Sequence, residues 1–239
     1  MLRKIFILWS AIFVGAMGLL SPVVHAQDKE APKVALVLSG GGARGFSHVG
    51  VIKVLHELGI KVDIVTGTSM GAMVGGGYAS GYSIEQMREI ILSVNWDEMF
   101  APRPDRSEIN WRKRQDDFKG LSDSEMGFTP EGIKVATSVV PAQRLETFLR
   151  QVTRHVSSVD DLTQLAIPFA AIATDLDNGE AVVMQKDVTL AEAMRASMSV
   201  PGAFPPVPRN GRYLVDGGLA QNLPVEQARA MGADIIIAV

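Results

Sequence analysis

The stretch VDIVTGTSMGAMVGGGYASG, residues 62–81, joins a β-branched apolar run to a run of small residues through a tight turn. Ser69 lies on this turn between Gly67 and Gly71, in the spacing G-x-S-x-G. The pattern predicts a buried strand, a sharp turn and a helix that ends near residue 80. Such a turn holds a hydroxyl at the edge of a sheet, beside a helix N-terminus that favours negative charge. Ser69 is therefore a candidate nucleophile, and the alternative is an ordinary tight turn with a capping serine.

The preceding residues show the same order of elements. Residues 33–38, KVALVL, are an unbroken apolar run, typical of a strand buried on both faces of a parallel sheet. A glycine-rich loop and a helix ending at Gly59 follow, and residues 60–66 form the next apolar run. Strand, glycine loop and helix twice in succession predict a doubly wound α/β fold. At 239 residues and 47% hydrophobic composition, the chain suits one such domain, predicted over 33–239.

Short motifs predict several later elements. S-I-E-Q from Ser83 and T-L-A-E from Thr189 match the capping box that begins a helix. The pair Asn178-Gly179 stands between two apolar runs and predicts a β-hairpin. The run RYLVDGG, residues 212–218, predicts a short strand that ends at two glycines.

The first 26 residues have the three parts of a secretory signal. A basic start is followed by the apolar core at residues 5–20 and a small-residue cleavage site. We expect cleavage after Ala26, a polar leader at 27–32, and export to the periplasm, the outer membrane surface or the medium. An uncleaved anchor is the alternative, although the apolar core is shorter than the roughly 20 residues of a spanning helix.

Charge and cysteine content exclude several classes of function. The chain carries 23 basic and 26 acidic residues, a formal net charge of −3, and both Arg3 and Lys4 belong to the predicted signal. A nucleic acid partner is therefore not expected. The chain contains no cysteine, which excludes disulfides, thiolate metal sites and a cysteine nucleophile.

A serine nucleophile needs a base, and the histidines are poorly placed to supply one. Only His155 follows Ser69, in a region without loop glycines, while His48 and His56 fall within the first predicted helix. Asp216 is the better candidate, because it ends a short strand and a partly desolvated carboxylate can accept a serine proton directly. A turn aspartate before two glycines is the alternative interpretation.

The first glycine loop allows two interpretations. Gly40, Gly42 and Gly45 form G-x-G-x-x-G between a strand and a helix, the pattern of a dinucleotide-binding fold. That fold needs an acid at the end of the second strand, and Asp63 comes too early in the run. Backbone N–H groups at a helix start, with Arg44 nearby, equally suit an oxyanion. We therefore favour an oxyanion hole.

Three ordered motifs, GGGARG, GTSMG and DGG, resemble the signature blocks of the patatin-like phospholipases. Residues 195–207, RASMSVPGAFPPV, resemble the block that this family carries before its aspartate, and the likeness extends over about residues 33–230. The resemblance implies a three-layer α/β/α sandwich with a mainly parallel central sheet. It also implies a serine acyl hydrolase that cleaves phospholipid or lysophospholipid esters at a membrane surface, with a Ser-Asp dyad and neither cofactor nor metal.

The resemblance also implies a role for each motif residue. Ser69 would be the nucleophile and Asp216 the general base. The remaining site residues are the oxyanion hole, Gly40, Gly41, Gly42 and Arg44, and the motif glycines, Gly45, Gly67, Gly71, Gly217 and Gly218.

Residues 95–131 predict no regular element and are our candidate for a lid or interfacial segment; a mobile solvated loop is the alternative. Their aromatic residues could contact acyl chains and their basic residues lipid phosphates. The residues in question are Trp96, Phe100, Trp111, Phe118 and Phe128, with Arg112, Lys113 and Arg114.

Two further expectations complete the sequence interpretation. Exported bacterial members of the family can continue into an outer-membrane barrel, so a longer parent protein with a C-terminal barrel is one expectation. The competing functions are a nucleotide-binding module that uses GGGARG and a catalytically silent lipid-binding scaffold.

Overall fold

A computed structural model describes residues 31–101, 110–111, 126–129, 132–135, 140 and 142–239. The predicted signal and most of the polar leader, residues 1–30, lie outside the described residues. The fold belongs to the unit Pro32–Val239.

The described residues form nine strands and seven α-helices. The strands are β1 (Val34–Leu38), β2 (Ile64–Thr68), β3 (Met126–Thr129), β4 (Gly132–Val135), β5 (Phe169–Asp175), β6 (Ala181–Met184), β7 (Val207–Arg209), β8 (Arg212–Asp216) and β9 (Ile235–Ala238). The helices are α1 (His48–Glu57), α2 (Met70–Ala79), α3 (Ile84–Ser93), α4 (Trp96–Met99), α5 (Gln143–Val152), α6 (Leu190–Ser197) and α7 (Val225–Ala230).

Seven of the strands form one mixed sheet, and β3 and β4 form a separate antiparallel pair. Strands β9, β1, β2 and β5 are parallel neighbours in that order. Strands β6 and β8 both pair antiparallel with β5, and β7 pairs antiparallel with β8. The predicted parallel arrangement therefore holds for the four strands from β9 to β5.

Strand β5 brings the ends of two other strands together. Its residues 169–172 pair with β2, and its residues 173–175 pair with β8. Because β6 pairs with residues 171–174, it occupies one side of β5, and β2 and β8 must share the other. Thr68 lies opposite Ile172 and Asp216 lies opposite Ala173, so β2 and β8 end next to each other.

Helices cover both faces of the sheet. Leu36 and Leu38 of β1 pack into the large core formed with α1, α2, α3, α5 and α6. Ala35 and Val37, on the opposite face of the same strand, pack against Ala228 of α7. This alternation follows from the two-residue period of a strand. The predicted α/β/α architecture is confirmed.

The local motifs behave as expected. Both capping boxes are present, at Ser83 and at Thr189. β5 and β6 form the antiparallel pair predicted from Asn178-Gly179, with Gly179 at a φ of 76°. Among the described residues, no helix is both long and apolar enough to span a membrane.

The prediction of no regular element over residues 95–131 is wrong, because α4 and β3 lie in that range. Two boundaries also differ from the prediction. Strand β2 begins at Ile64, and Ile60 belongs to the turn after α1, where its N–H donates to Leu55 O. The first helix begins with a 3₁₀ turn, residues 42–47, before α1 starts at His48. A left-handed glycine at position 42, with a φ of 56°, sets this tight start.

Candidate active site

The turn between β2 and α2 holds Ser69 in a strained conformation. Its φ of 54° and ψ of −120° lie where residues other than glycine are uncommon. Such strain costs about 1–3 kcal/mol and persists only where the surroundings fix it. Ser69 is partly exposed at the carboxyl end of β2, as the G-x-S-x-G spacing predicted.

The two glycines that flank Ser69 are required by close backbone packing. A Cβ on Gly67 would lie 2.5 Å from Gly71 O, and a Cβ on Gly71 would lie 2.3 Å from Leu38 O. Either contact is too short for real atoms, so a side chain at either position would push α2 away from the sheet. The turn therefore depends on glycine at both positions.

A buried serine, Ser197 at the end of α6, supports the same turn. The Ser69 N–H donates a hydrogen bond of 2.8 Å to Ser197 Oγ. Ser197 Oγ in turn donates to Ile172 O of β5. The hydroxyl thus connects the strained turn to the central sheet. It supplies a hydrogen-bond partner to both the Ser69 N–H and the Ile172 carbonyl.

Asp216 ends β8 beside this turn. Its N–H donates a 2.9 Å hydrogen bond to Ser199 O, and its Oδ1 accepts a 2.7 Å hydrogen bond from Gly218 N–H. The glycine after it is also required, since a Cβ on Gly217 would lie 2.1 Å from Ile172 O. Gly218 N–H therefore holds the carboxylate, while Ser199 O holds the backbone of the same residue.

Burial shifts the pKa of the Asp216 carboxylate. The residue is only 7% exposed, and burial raises the pKa of Asp216 above its ordinary value. Hydrogen bonding with the Ser69 side chain and with Gly218 N–H opposes the rise in pKa. Oδ2 is buried and accepts no well-formed hydrogen bond from the described residues. The Ser69 side chain thus lowers the pKa of the carboxylate, although Oδ2 forms no hydrogen bond with the described residues.

The histidines of the described residues have other partners. Buried His48 contacts Ser39 O through Nε2 at 2.9 Å, below the glycine loop. His155 contacts Ser80 O at 3.1 Å and the ring of Tyr82, at the far end of α2. His56 is exposed near the end of α1. None of the three bonds to Ser69 or Asp216 in the described part of the chain.

The glycine loop lies beside Ser69, and its N–H groups differ. Gly40 N–H donates to Asn222 Oδ1 at 3.1 Å, and a Cβ on Gly40 would lie 3.1 Å from Ser69 Cβ. Gly41 and Gly42 are exposed, and their N–H groups have no acceptor among the described residues. Of the three predicted backbone donors, two remain available to an incoming oxygen.

Two further loop residues occupy different environments. Arg44 is exposed on the 3₁₀ turn and makes no ion pair with the described residues. Gly45 is buried against α2, where a Cβ would lie 2.4 Å from Met70 Cγ. The loop is thus pressed directly onto the helix that Ser69 begins.

The structure does not place Asp63 where a dinucleotide-binding fold has its acidic residue. Asp63 lies before β2, at the amino ends of the parallel strands, whereas the glycine loop lies at their carboxyl ends. The Asp63 carboxylate accepts from Val34 N–H and pairs with Lys61. It therefore cannot hold a ribose next to Gly42. The described residues include no group of three or more His, Cys, Asp or Glu side chains placed to bind a metal ion.

Comparison with known proteins identifies the family. The family model described as patatin-like phospholipase matches residues 36–229, which include both glycine turns and Asp216. The chain belongs to the patatin-like phospholipase family. Human patatin-like phospholipase domain-containing protein 6 is 33% identical over 208 residues, which are 86% of this chain and 13% of that protein.

One further relative and one solved structure are similar to this chain. An uncharacterized NTE family protein of Mycobacterium tuberculosis is 34% identical over 216 residues, covering 90% of this chain and 51% of the relative. The solved structure of VipD from Legionella pneumophila matches with a TM-score of 0.50 at 18% identity, over 82% of this chain and 47% of VipD, and it supports the fold alone. The chain thus spans between an eighth and about half of these curated relatives.

In this patatin-like chain, three residues that support the candidate site were not predicted from the sequence. Ser197 and Asn222 hold Ser69 and Gly40, as described above. Arg195 is buried and donates to Ser199, to Pro205 O at 3.1 Å and to Glu146 at 3.2 Å. Arg195, Ser197 and Ser199 all lie in the RASMSVPGAFPPV block, whose resemblance to the family was the only available signal.

The predicted interfacial segment is described only in part. Trp96 packs against Phe46 and Phe148, with ring centroids 4.7 and 5.7 Å apart, and Phe100 contacts Phe204 at 5.9 Å. These rings cover the core and are only partly exposed. Trp111 is 63% exposed. Arg112, Lys113, Arg114, Phe118 and the side chain of Phe128 lie outside the described residues.

Proposed function

We propose that this chain hydrolyses acyl esters of phospholipids or lysophospholipids, with Ser69 as nucleophile and Asp216 as general base. The observation that carries the proposal is the meeting of a strained serine and a buried carboxylate at the junction of β2 and β8. Membership of the patatin-like phospholipase family supports the class of substrate.

The first step forms an acyl-enzyme. Ser69 Oγ attacks the ester carbonyl carbon while Asp216 takes the hydroxyl proton. Because the pKa of Asp216 is raised, its carboxylate is a stronger base than an exposed aspartate. The N–H groups of Gly41 and Gly42 donate to the oxyanion of the tetrahedral intermediate. Collapse of this intermediate expels the alcohol, which receives the proton from Asp216.

The second step releases the fatty acid. Water attacks the acyl-serine carbonyl, Asp216 accepts a proton from that water, and Ser69 recovers its proton as it leaves. Arg44 is exposed beside the loop, where it would add positive charge for the oxyanion or a lipid phosphate. Each role uses a residue of this chain and needs no cofactor.

We also propose export and action at a membrane surface. The signal-like residues 1–26 support export, and the lipid substrate class supports a membrane surface. N-terminal sequencing of the protein recovered outside the cytoplasm should begin at Gln27. An intact Met1 on that protein would contradict cleavage.

Fatty acid release from phosphatidylcholine and lysophosphatidylcholine vesicles tests the activity. We expect Ser69→Ala to abolish turnover and Asp216→Asn to lower kcat by about 10²–10⁴-fold, the range for loss of a general base. Ser80→Ala is the matched control, because Ser80 is buried at the end of the same helix and its hydroxyl donates only to Gly77 O. Full activity in Ser69→Ala would contradict the proposal.

A further inference from the structure

Asn222 joins two loops of the candidate site, the glycine loop after β1 and residues 217–224 after β8. Gly40 N–H donates to Asn222 Oδ1 at 3.1 Å and to the backbone oxygen of Asn222 at 3.4 Å. In return, Asn222 Nδ2 donates to Gly40 O at 3.5 Å. The contact is close, because a Cβ on Gly40 would lie 2.6 Å from Asn222 Oδ1. The Asn222 amide therefore pairs with both the N–H and the carbonyl of one glycine.

Two threonine hydroxyls of β2 hold the 217–224 loop on either side of Asn222. Thr68 Oγ1 donates at 2.9 Å to the carbonyl oxygen of the residue before Asn222. Thr66 Oγ1 donates at 3.1 Å to Pro224 O. Both threonines are fully buried, and Thr68 directly precedes the proposed nucleophile. The strand that ends at the nucleophile therefore also sets the position of Asn222.

The same loop begins directly after the proposed base. Gly218 N–H donates to Asp216 Oδ1 at 2.7 Å, and Thr174 Oγ1 of β5 donates to Asp216 O at 2.8 Å. A Cβ on Gly218 would lie 2.9 Å from Asp216 Oδ1 and 3.2 Å from Asn222 Oδ1, so both oxygens border the same space. One hydrogen-bonded loop thus connects the proposed base to the amide that holds the glycine loop.

We propose that Asn222 is a positioning residue, which orients the glycine loop so that the Gly41 and Gly42 N–H groups meet the oxyanion. The inference rests on the proposed function, because only attack by Ser69 on an ester creates an oxyanion at this place. Gly40 N–H is already bonded to Asn222, whereas the next two N–H groups have no acceptor among the described residues. Asn222 therefore acts through the loop and contributes no atom to the reaction.

Loss of the amide side chain should release the loop. Gly40 N–H would keep only its 3.4 Å bond to the backbone oxygen of residue 222. The three successive glycines at residues 40–42 offer little resistance to reorientation, because glycine has the widest range of backbone conformations. Oxyanion bonds form only in the transition state, so kcat should fall while KM stays nearly unchanged. We expect Asn222→Ala to lower kcat by about tenfold to 10²-fold, up to the scale for one lost oxyanion donor.

An oxygen-for-sulfur comparison distinguishes this role from a general structural one. The substrates are p-nitrophenyl butyrate and its thiono analogue, in which sulfur replaces the carbonyl oxygen. Sulfur is a weaker hydrogen-bond acceptor than oxygen, so correctly placed N–H donors favour the oxygen ester. We expect Asn222→Ala to lower the oxygen-to-sulfur ratio of kcat/KM by about tenfold. Damage to the dyad alone would lower kcat/KM for both esters equally and preserve the ratio.

Asn178→Ala is the matched control. Asn178 Oδ1 accepts from Glu180 N–H at 2.9 Å in the β5–β6 turn, a comparable bond that involves neither glycine turn of the site. This control should keep the parental kcat and the parental ratio.

A parental ratio in Asn222→Ala would overturn the positioning role, whereas hydrolysis of the oxygen ester by the parent leaves the proposed function standing. A parent that releases neither p-nitrophenol from this ester nor fatty acid from vesicles would overturn both. Asn222→Leu, which is similar in size and lacks the amide, replaces Asn222→Ala if that variant does not fold, and the same fall in the ratio is expected.

Discussion

The two glycine turns of the site use glycine for opposite reasons. At the β2–α2 turn, a Cβ on Gly71 would lie 2.3 Å from backbone, so glycine is required for close approach. In the loop after β1, a Cβ on Gly42 would meet nothing within 4 Å, and glycine is required by a φ of 56°. The first turn is crowded at both glycines, whereas the second is crowded at Gly40 and Gly45 and open at Gly41 and Gly42. One turn therefore fixes the proposed nucleophile, while the other leaves space and N–H groups for a substrate.

Gly71→Ala breaks the crowded turn and should have the largest effect. Because the new methyl would overlap backbone atoms of Leu38 and Ser39, we expect the free energy of unfolding to fall by about 3 kcal/mol. Urea denaturation measures the change. Gly50→Ala, in an open helical position, should leave stability unchanged or raise it by up to about 1 kcal/mol. Equal stability of the two variants would contradict the crowding.

Gly42→Ala tests the open loop. A left-handed alanine costs about 1–2 kcal/mol, and relief of that strain would turn the N–H groups away from the oxyanion. We expect kcat to fall by about 10²-fold, the scale for loss of one oxyanion donor. Gly59→Ala is the control, because Gly59 has a φ of 67° and equal space at the other edge of the sheet. It should lose similar stability and keep the parental kcat, and a matching loss of kcat would refute the loop's role.

Ser197→Ala tests the hydrogen bond that supports the crowded turn. Loss of the hydroxyl leaves the Ser69 N–H without its acceptor, so the free energy of unfolding should fall by about 1–3 kcal/mol. We also expect a lower kcat at nearly unchanged KM, because Ser69 is no longer held. Ser197→Thr keeps a hydroxyl and should recover most of the kcat. Failure of this rescue would argue that Ser197 serves packing alone.

Asp216→Asn should have the smallest effect on stability, with a defined pH dependence. Because the pKa of Asp216 is raised by burial, the folded state binds this proton more tightly than the unfolded state. Ionisation of Asp216 therefore lowers the free energy of unfolding as the pH rises from the pKa of the unfolded state through the higher pKa of the folded state. We expect the asparagine variant to be more stable than the parent at neutral pH and equally stable below the unfolded pKa. A variant less stable at neutral pH would contradict the raised pKa.

The sequence predicted the turns but not the contacts that support them. Glycine spacing after buried apolar runs located both turns, and local capping boxes located α3 and α6, because these signals depend on neighbouring residues. Ser197 bonds to a residue 128 positions away, and Asn222 to one 182 positions away. Such pairings arise from the strand order of the sheet, which no local pattern encodes. Trp96 was assigned to the interfacial segment from composition, which does not indicate whether a ring faces the core or the solvent.

Covalent labelling with a fluorophosphonate probe, followed by mapping of the labelled residue, tests whether Ser69 and Asp216 form a catalytic dyad. If Asp216 activates Ser69 without a histidine, the parent will be labelled at Ser69 and Ser69→Ala will not react. The Asp216→Asn variant will be labelled at least about 10²-fold more slowly than the parent, the scale for loss of a general base. Labelling at another residue, or labelling of Asp216→Asn at the parental rate, would contradict the dyad.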